Sequence, residues 1–202
     1  MSSINVEYSN KEINSIIMEN ILKMLERRKL VNSWSEQFKK LDDVQNKSIF
    51  EILLNNNKKY SIYIVSSKLV SIVQSSPLDE YLSNNIDVHK IIVARDVAKK
   101  VVKQIVSEYK NAEFFFESEM MEDIPSKLFI PEHHLLGKEE KEELISKFSE
   151  PELAKIFLTD MMSRYYGAVI GDVFKIIRPS FTAGKNVFYR RVVNSSWDIL
   201  FE

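Results

Sequence analysis

The sequence predicts an α/β domain with a mixed sheet and flanking helices over residues 1–128, and a small α+β domain over residues 129–202. The first prediction rests on a strand–helix–strand pattern between residues 88 and 116, which is typical of parallel strands joined by a crossover helix. The second rests on the two helical patterns, followed by two strand patterns, that come after Pro131. With 202 residues, 45% of them hydrophobic, the chain is long enough for two cores.

Two capped helices are predicted to open the first domain. Ser9 and Glu12 form a capping-box pattern, followed by isoleucine, leucine and methionine at helical spacing. Ser33 and Glu36 repeat that pattern before a second, shorter helix. The apolar segments "SIFEILL" and "YSIYIV" then predict two strands, and the asparagine-rich turn "NNNKK" between them predicts a hairpin.

A βαβ unit is predicted to complete the first domain. A short helix begins at Ser76-Pro77, since proline is tolerated in the first helical turn. The apolar run "VHKIIVA" predicts a strand covered on both faces. A helical pattern through Val97, Val101 and Ile105 then leads to the strand "AEFFF". We expect these two strands to be parallel, with a right-handed crossover.

The second domain is predicted to begin with two helices. The first covers "GKEEKEELISKF". The second begins at a capping box of Ser149 and Glu152, has Pro151 in its first turn and ends at Gly167.

The C-terminal hairpin is the segment whose sequence is hardest to explain by folding alone. Its strands are predicted at Lys175–Arg178 and Asn186–Val193, which leaves a long connection over Pro179–Lys185. Gly184 is free to take a positive φ and close that connection. Alternation puts bulky apolar side chains and arginines on both sides of the second strand. Such mixed faces are typical of a half-buried protein interface, and equally of amphipathic edge strands whose arginine stems cover apolar surface.

Composition excludes several classes of protein. The net charge is -1, with 18 Lys+Arg against 18 Asp+Glu up to residue 128 and 10 against 11 after it, so neither part carries a global basic field for nucleic acid. The absence of cysteine excludes disulfides and thiolate metal sites. No apolar run approaches the length of a membrane span, and the first residues lack the layout of a secretion signal. We therefore expect an intracellular protein without a membrane partner.

The residue types associated with metal binding and catalysis have simpler explanations in this sequence. Glu132, His133 and His134 lack metal-ligand spacing, and a polar turn after Pro131 is the simpler prediction. His89 falls inside a predicted buried strand, where a hydrogen-bonded core residue is expected. No phosphate-binding glycine motif or nucleophile motif occurs. A metal-dependent nuclease of this fold class would need carboxylates on the strand "YSIYIV", which has none.

Basic pairs occur at several places in the first domain, and ordinary solubility of helices and turns explains them at least as well as a binding surface does. They are Arg27-Arg28, Lys39-Lys40, Lys58-Lys59 and Lys99-Lys100.

The C-terminal third resembles a known family. The segments "LFIPEHHLLGKEEKEELISKF" and "SRYYGAVIGDVFKIIRPSFTAGKNVFYRRVV" contain a Pro-Glu-His turn, an Arg-Tyr-Tyr-Gly helix end, a Gly-Asp-Val strand start and an Ile-Arg-Pro-Ser-x-Thr-Ala-Gly loop. These motifs span most of residues 129–193. They resemble the assembly domain of the RNA polymerase subunit called H in archaea, which is also the fifth subunit shared by the eukaryotic nuclear polymerases.

The resemblance implies a non-catalytic polymerase subunit with no metal or cofactor. Archaeal members have only the assembly domain, so an added α/β domain is similar to the eukaryotic type. There it forms a lower jaw near downstream duplex DNA, with a layout similar to restriction endonucleases. Docking on the largest subunit is implied for Tyr165, Tyr166, Arg178, Pro179, Thr182, Gly184, Tyr189, Arg190 and Arg191. Proximity to DNA, phosphate-directed and without sequence preference, is expected for Arg27, Arg28, Lys39, Lys40, Lys58 and Lys59.

Two departures from the family pattern indicate co-adaptation with an unusual partner. The family's Gly-Asp-Pro is replaced by "LTDMM", in which Asp160 is retained, and Phe181 stands where the family has an acidic residue. The Asn-, Lys- and Ile-rich composition fits a large DNA virus, with a location in host cytoplasm and virion, or an AT-rich cellular genome, with a location in the nucleus. A free-standing nuclease or repair factor and an adaptor for an unrelated protein are the alternative functions.

Overall fold

The computed structural model describes residues 8–85, 87–148, 152–180 and 184–201. The chain divides into two compact units, Met1–Glu122 and Asp123–Glu202. The sequence placed the boundary between residues 128 and 129. Within the described residues, each unit contains one four-stranded sheet. Among the described residues, none of the helices combines the length and the apolar character that crossing a bilayer requires.

The described part of the first unit holds a mixed sheet with helices before, between and after its strands. In chain order the elements are α1 (Asn10–Arg27), α2 (Trp34–Lys39), β1 (Ile49–Leu53), β2 (Lys59–Val65), α3 (Pro77–Ser83), β3 (His89–Ala94), α4 (Lys99–Glu108), β4 (Ala112–Phe116) and α5 (Glu117–Met120). The strand order is β1-β2-β3-β4, with β1 antiparallel to β2 and the other pairs parallel. The predicted hairpin, parallel pair and mixed sheet are confirmed.

Local sequence explains where α1 begins. Ser9 accepts a hydrogen bond from the Glu12 amide at 3.4 Å, and Glu12 accepts one from the Ser9 amide at 2.8 Å, which is the predicted capping box. One face of the helix is buried, at Ile13, Ile17, Met18, Ile21, Leu22, Met24 and Leu25. This apolar stripe packs the helix into the core of the first unit.

Helices cover both faces of the first sheet. Lys90 lies opposite Ala112, so Lys90 and the next residue of β4, Glu113, point to opposite faces. The Lys90 ammonium reaches main-chain carbonyls at the end of α3, whereas Glu113 binds Arg28 at the end of α1. The sheet is therefore a middle layer, as expected for an α/β domain.

The described part of the second unit holds short helices and a second four-stranded sheet. Its elements are a 3₁₀ turn (Ile124–Ser126), β5 (Glu132–Leu135), α6 (Lys138–Lys147), β6 (Ala154–Phe157), α7 (Met161–Tyr165), β7 (Val173–Ser180), β8 (Gly184–Val193) and a C-terminal 3₁₀ turn (Trp197–Phe201). The strand order is β5-β7-β8-β6. β7 is antiparallel to β5 and β8, and β6 is parallel to β8.

The prediction of one long helix from Ser149 to Gly167 is wrong. Ser149 and Pro151 lie outside the described residues, but Ala154–Phe157 forms β6. Pairing with β8 buries Ile156 while its neighbours stay exposed. The apolar spacing of this segment is helical, and the available edge of β8 outweighs it, because strand preference depends on the tertiary context.

Among the described residues of that segment, only its end forms an α-helix. Asp160 accepts a hydrogen bond from the Met162 amide at 2.8 Å and so begins α7. Gly167 has a φ of 63°, the left-handed conformation that favours glycine after a helix. The predicted stop at Gly167 is therefore confirmed.

Two further expectations for the second unit are wrong. The segment after Pro131 is strand β5, not a polar turn, because it pairs with β7 from Glu132 to Leu135. The hairpin connection is also shorter than predicted, since Pro179 pairs with Lys185 and the ladder continues one pair further. Pro179 is tolerated there because β5 does not extend that far along β7.

A small apolar cluster of the second unit's core lies on one face of its sheet. Its buried residues are Ile156, Ala168, Phe174, Ile176 and Val192, against which Leu135, Leu158 and Tyr166 pack. The C-terminal 3₁₀ turn is partly buried, with Trp197, Leu200 and Phe201 of intermediate exposure. This agrees with the apolar character of the tail.

Candidate docking site

The β7–β8 hairpin extends beyond the rest of its sheet. Its ladder ends with Ser180 opposite Gly184. β5 pairs with β7 only as far as Ile177, and β6 pairs with β8 only from Arg190. We call the part of the hairpin beyond these limits, residues 178–180 of β7 with residues 184–189 of β8, the ribbon. Among the described residues its tip, from Arg178 opposite Asn186 onward, is two-stranded. A two-stranded hairpin is marginally stable in water without further packing.

The ribbon exposes apolar side chains on both faces. Val187 and Phe188 are 47% and 45% exposed, and as neighbours in a strand they point to opposite sides. The Arg178 guanidinium lies 5.4 Å from the centre of the Phe188 ring, a cation–π distance. Because Arg178 is itself exposed, this pair presents an aromatic ring and a positive charge together.

The predicted docking residues of the hairpin divide between the ribbon and its base. Those exposed on the ribbon are Arg178, Pro179 and Gly184. Those half-buried near the base are Tyr189, Arg190 and Arg191. Thr182, and Phe181 with it, lies outside the described residues. Gly184 has a φ of 71°, so it occupies the left-handed region that the sequence predicted for it.

The two predicted docking tyrosines lie in and beside α7. Tyr165 is only 2% exposed, and its ring centre is 5.5 Å from that of Tyr166. Tyr166 in turn packs edge-on against Phe174 of β7, at 5.9 Å between ring centres. These contacts hold the end of α7 against the base of the hairpin, so Tyr165 acts inside the second unit.

A buried arginine beside these tyrosines was missed from the sequence. Arg164 is 8% exposed, and its Nε donates to the Thr159 carbonyl at 3.1 Å. The Thr159 hydroxyl is hydrogen-bonded to the Ser195 hydroxyl at 2.8 Å, which ties the segment before the C-terminal 3₁₀ turn to α7. The sequence did contain an indication of this, because an arginine in a short apolar helix needs buried hydrogen-bond acceptors.

The Glu132-His133-His134 segment is structural. His133 points inward, donates from Nδ1 to the Pro131 carbonyl at 2.7 Å, and packs against the Phe174 ring. Burial lowers the pKa of His133. His134 points outward and lies 2.9 Å from Glu132. No group of three metal-ligating side chains occurs in the part of the chain that the structure describes.

The basic pairs of the first unit differ in exposure. Arg28 has a side chain that is only 5% exposed, and Arg27 is half-buried. Lys59 is exposed and forms a surface ion pair with Glu51 at 3.2 Å. The remaining predicted DNA-proximal residues are exposed: Lys39, Lys40 and Lys58.

Arg28 is part of a charged cluster under α1. Its guanidinium binds Glu113 in bidentate fashion at 2.8 and 2.6 Å, and His89 Nε2 lies 2.6 Å from the same carboxylate. The His89 ring stacks on Tyr60 at 4.3 Å, so the expected hydrogen-bonded His89 is confirmed. Burial alone would raise the pKa of Glu113, but Arg28 and His89 outweigh it and lower that pKa to about 2.

A cavity of about 380 Å³ lies beside α3 and is explained by the fold. The Lys90 ammonium on its wall donates to the Leu82 carbonyl at 2.6 Å and to the Asn84 carbonyl, which satisfies the end of α3. Burial lowers the pKa of Lys90. Burial also raises the pKa of the neighbouring Tyr81 to about 12, so the Tyr81 hydroxyl stays protonated near neutral pH.

Comparison with known proteins matches the whole chain and the second unit separately. The family profile "RNA polymerase Rpb5, C-terminal domain" matches residues 123–192. The "DNA-directed RNA polymerase subunit 5" of Acanthamoeba polyphaga mimivirus is 28% identical over 203 residues, covering 95% of this chain and 98% of the relative.

Cellular relatives give the same result. The "DNA-directed RNA polymerases I, II, and III subunit rpabc1" of Dictyostelium discoideum is 28% identical, covering 88% of this chain and 95% of the relative. The "DNA-directed RNA polymerase subunit Rpo5" of Archaeoglobus fulgidus is 44% identical over 68 residues, which cover 33% of this chain and 90% of the relative. The shorter archaeal relative agrees with the sequence expectation that archaeal members have one domain.

Proposed function

The chain belongs to the family of RNA polymerase subunit 5, and from this membership we propose that it is a non-catalytic subunit of a multisubunit DNA-directed RNA polymerase. The observation that carries the proposal is the match to the mimivirus subunit over 98% of that relative's length, because both units are then accounted for. The polymerase subunits named among the relatives imply that this chain works with other polymerase subunits.

We propose that the second unit is the assembly domain and that its ribbon docks on the largest subunit. The exposed Val187 and Phe188, with the Arg178 guanidinium beside the ring, have the composition of interface anchors. Tyr165 and Tyr166 support this surface from beneath by packing α7 against the hairpin.

We propose that the first unit forms the lower jaw near downstream duplex DNA. Exposed Lys39, Lys40 and Lys58 supply phosphate contacts without sequence preference. Arg28 is excluded from this set because Glu113 holds it inside the unit. The restriction-endonuclease-like layout stays a prediction from the family resemblance, and with it the absence of a catalytic site.

The two alternative functions are not proposed. The viral, amoebal and archaeal relatives are all named as polymerase subunits, and none of the three is named as a nuclease, a repair factor or an adaptor. β2, the strand on which a nuclease of this class would need carboxylates, carries none.

We propose an intracellular location with the polymerase. For a gene of a large DNA virus, this is the host cytoplasm and the virion. For a cellular gene it is the nucleus.

The Arg178→Glu variant tests the docking proposal. Arg178 is exposed, so the reversal of charge leaves the fold intact, and thermal unfolding of the purified variant checks this. Removal of an interface anchor weakens binding by about thirtyfold or more, so we expect the chain to be lost from the purified polymerase. Lys138→Glu is the matched control, an equal charge change at the exposed start of α6. Equal recovery of both variants with the polymerase would refute docking through the ribbon.

A further inference from the structure

The outer edge of β8 in the ribbon has main-chain groups available for another strand. The Val192 amide donates across the ladder to the Asp172 carbonyl at 2.8 Å, so the even-numbered residues of β8 exchange hydrogen bonds with β7. The residues between them direct N–H and C=O away from β7. A hydrogen bond at the end of β6 confirms this alternation: the Leu158 amide donates to the carbonyl of Val193, an odd-numbered residue, at 2.9 Å.

Two residues of β8 that direct main-chain groups to this edge, Lys185 and Val187, lie wholly beyond the reach of β6, and the next one, Tyr189, adjoins the first β6 pair, Ala154 with Arg190. Among the described residues no strand pairs with them on the outer side. An exposed edge of this kind is a template for strand addition, in which main-chain hydrogen bonds supply the affinity.

The opposite edge of the ribbon is blocked. The Leu136 amide donates to the Val173 carbonyl at 2.9 Å, so the odd-numbered residues of β7 direct their main chain toward β5 and away from β8. β5 pairs with β7 only as far as Ile177, and the next residue of β7 that directs its main chain to this edge is Pro179. Proline has no N–H to donate, so the outer edge of β7 is protected against strand addition and the edge of β8 is not.

The positive charge of the hairpin indicates that the added strand is acidic. From Val173 to Trp197 the sequence contains no Asp or Glu, whereas it contains Lys175, Arg178, Lys185, Arg190 and Arg191. An added strand would therefore lie beside a segment whose charged side chains are all basic, and acidic side chains on that strand would complement it.

We propose that β8 receives an additional β-strand along Lys185–Tyr189, and that this strand is an extended acidic segment of another polymerase subunit. The inference rests on the proposed function and specifies the chemistry of the docking. At the tip of the ribbon, where β5 no longer pairs with β7, the added strand supplies a third strand. It would lie on the same edge of β8 that β6 pairs with from Arg190 onward.

Residue-resolved hydrogen exchange of the full chain, free and within the purified polymerase, tests this proposal. We expect the Val187 amide to exchange at least about tenfold more slowly in the polymerase, because it becomes hydrogen-bonded only there. The neighbouring Phe188 amide is bonded to β7 in both states and serves as the reference. If the chain is present in the polymerase and the Val187 amide exchanges as fast as in the free chain, strand addition is wrong although the proposed function stands. Absence of the chain from the polymerase would overturn both.

Two variants at position 187 distinguish the contribution of the main chain to polymerase binding from that of the side chain. Val187→Pro removes an outward N–H that the hairpin ladder does not use, and Val187→Thr keeps that N–H in a side chain of similar shape. We expect the proline variant to bind the polymerase about fivefold or more weakly than the threonine variant, because one main-chain hydrogen bond is lost. Binding that does not weaken as the salt concentration rises would contradict an acidic partner strand.

Discussion

Replacing Glu113 with glutamine tests whether the charged cluster beneath α1 holds the first unit together. The carboxylate receives two hydrogen bonds from Arg28 and lies 2.6 Å from His89, with a side chain that is 23% exposed. Glutamine has nearly the same shape, so the substitution removes the negative charge and leaves the packing. Arg28, 5% exposed, then remains buried without its counter-charge.

The structure gives the size of the effect in two ways. Lowering the pKa of Glu113 from its ordinary value of 4.5 to about 2 corresponds to roughly 3 kcal/mol of folding free energy at neutral pH. Breaking a buried ion pair by removing one partner costs about 3–5 kcal/mol. We therefore expect Glu113→Gln to lower the free energy of unfolding of the first unit by about 3 kcal/mol at pH 7.

The effect depends on pH in a direction that follows from the lowered pKa. A carboxyl group whose pKa is lower in the folded state stabilises the fold above its unfolded pKa and loses that contribution as the pH falls toward its folded pKa. The contribution of Glu113 is complete above about pH 5 and falls to roughly 1 kcal/mol at pH 3. The difference between the parent chain and the variant should shrink accordingly.

Urea unfolding followed by tryptophan fluorescence measures this difference in one unit. The chain has two tryptophans, so a Trp197→Phe background leaves Trp34 as the reporter of the first unit. Glu51→Gln is the matched control, because the Glu51–Lys59 pair is exposed and contributes less than about 1 kcal/mol. A Glu113 effect no larger than the Glu51 effect, or one that grows as the pH falls, would refute the electrostatic explanation.

Two further predictions concern the core of the second unit and the lysines that we propose to contact DNA. Phe174 is fully buried between Tyr166 and the sheet core, so Phe174→Ala should destabilise the second unit by about 3–5 kcal/mol, measured by urea unfolding with Trp197 as the only tryptophan. Replacement of Lys39, Lys40 and Lys58 by glutamine should reduce the salt dependence of DNA binding by the assembled polymerase. The slope of the logarithm of the binding constant against the logarithm of the salt concentration should decrease in magnitude by about 0.9 for each phosphate that is no longer neutralised, and sequence preference should not change. An unchanged slope would exclude these lysines from the DNA interface.

Most of the first unit was predictable because its signals are local. The capping box at Ser9 begins α1, the asparagine-rich turn joins β1 to β2, and the apolar run of β3 is buried as expected. Arg28 was harder to place, since a pair of arginines at a helix end also fits a solvent-exposed surface. The indication was the presence of His89 in a predicted buried strand and of Glu113 in the next predicted strand, since charged groups inside a protein need partners.

The second unit was less predictable because its strands depend on distant partners. Four residues around Ile156 have helical spacing and become β6 only because the edge of β8 is available. β5 was missed for the same reason. Its sequence is short and polar and has no strand pattern of its own, so its strand conformation depends on pairing with β7. The mixed faces of β8 did indicate its unusual exposure, but the free edge at Val187 follows only from the strand register.

Affinity purification of the native chain from its source is the most direct test of the central claim that it is a polymerase subunit. We expect two very large subunits to be recovered with it in stoichiometric amounts, and the purified material to carry out templated RNA synthesis. Recovery of the chain alone, or with partners that do not synthesise RNA on a template, would contradict the claim.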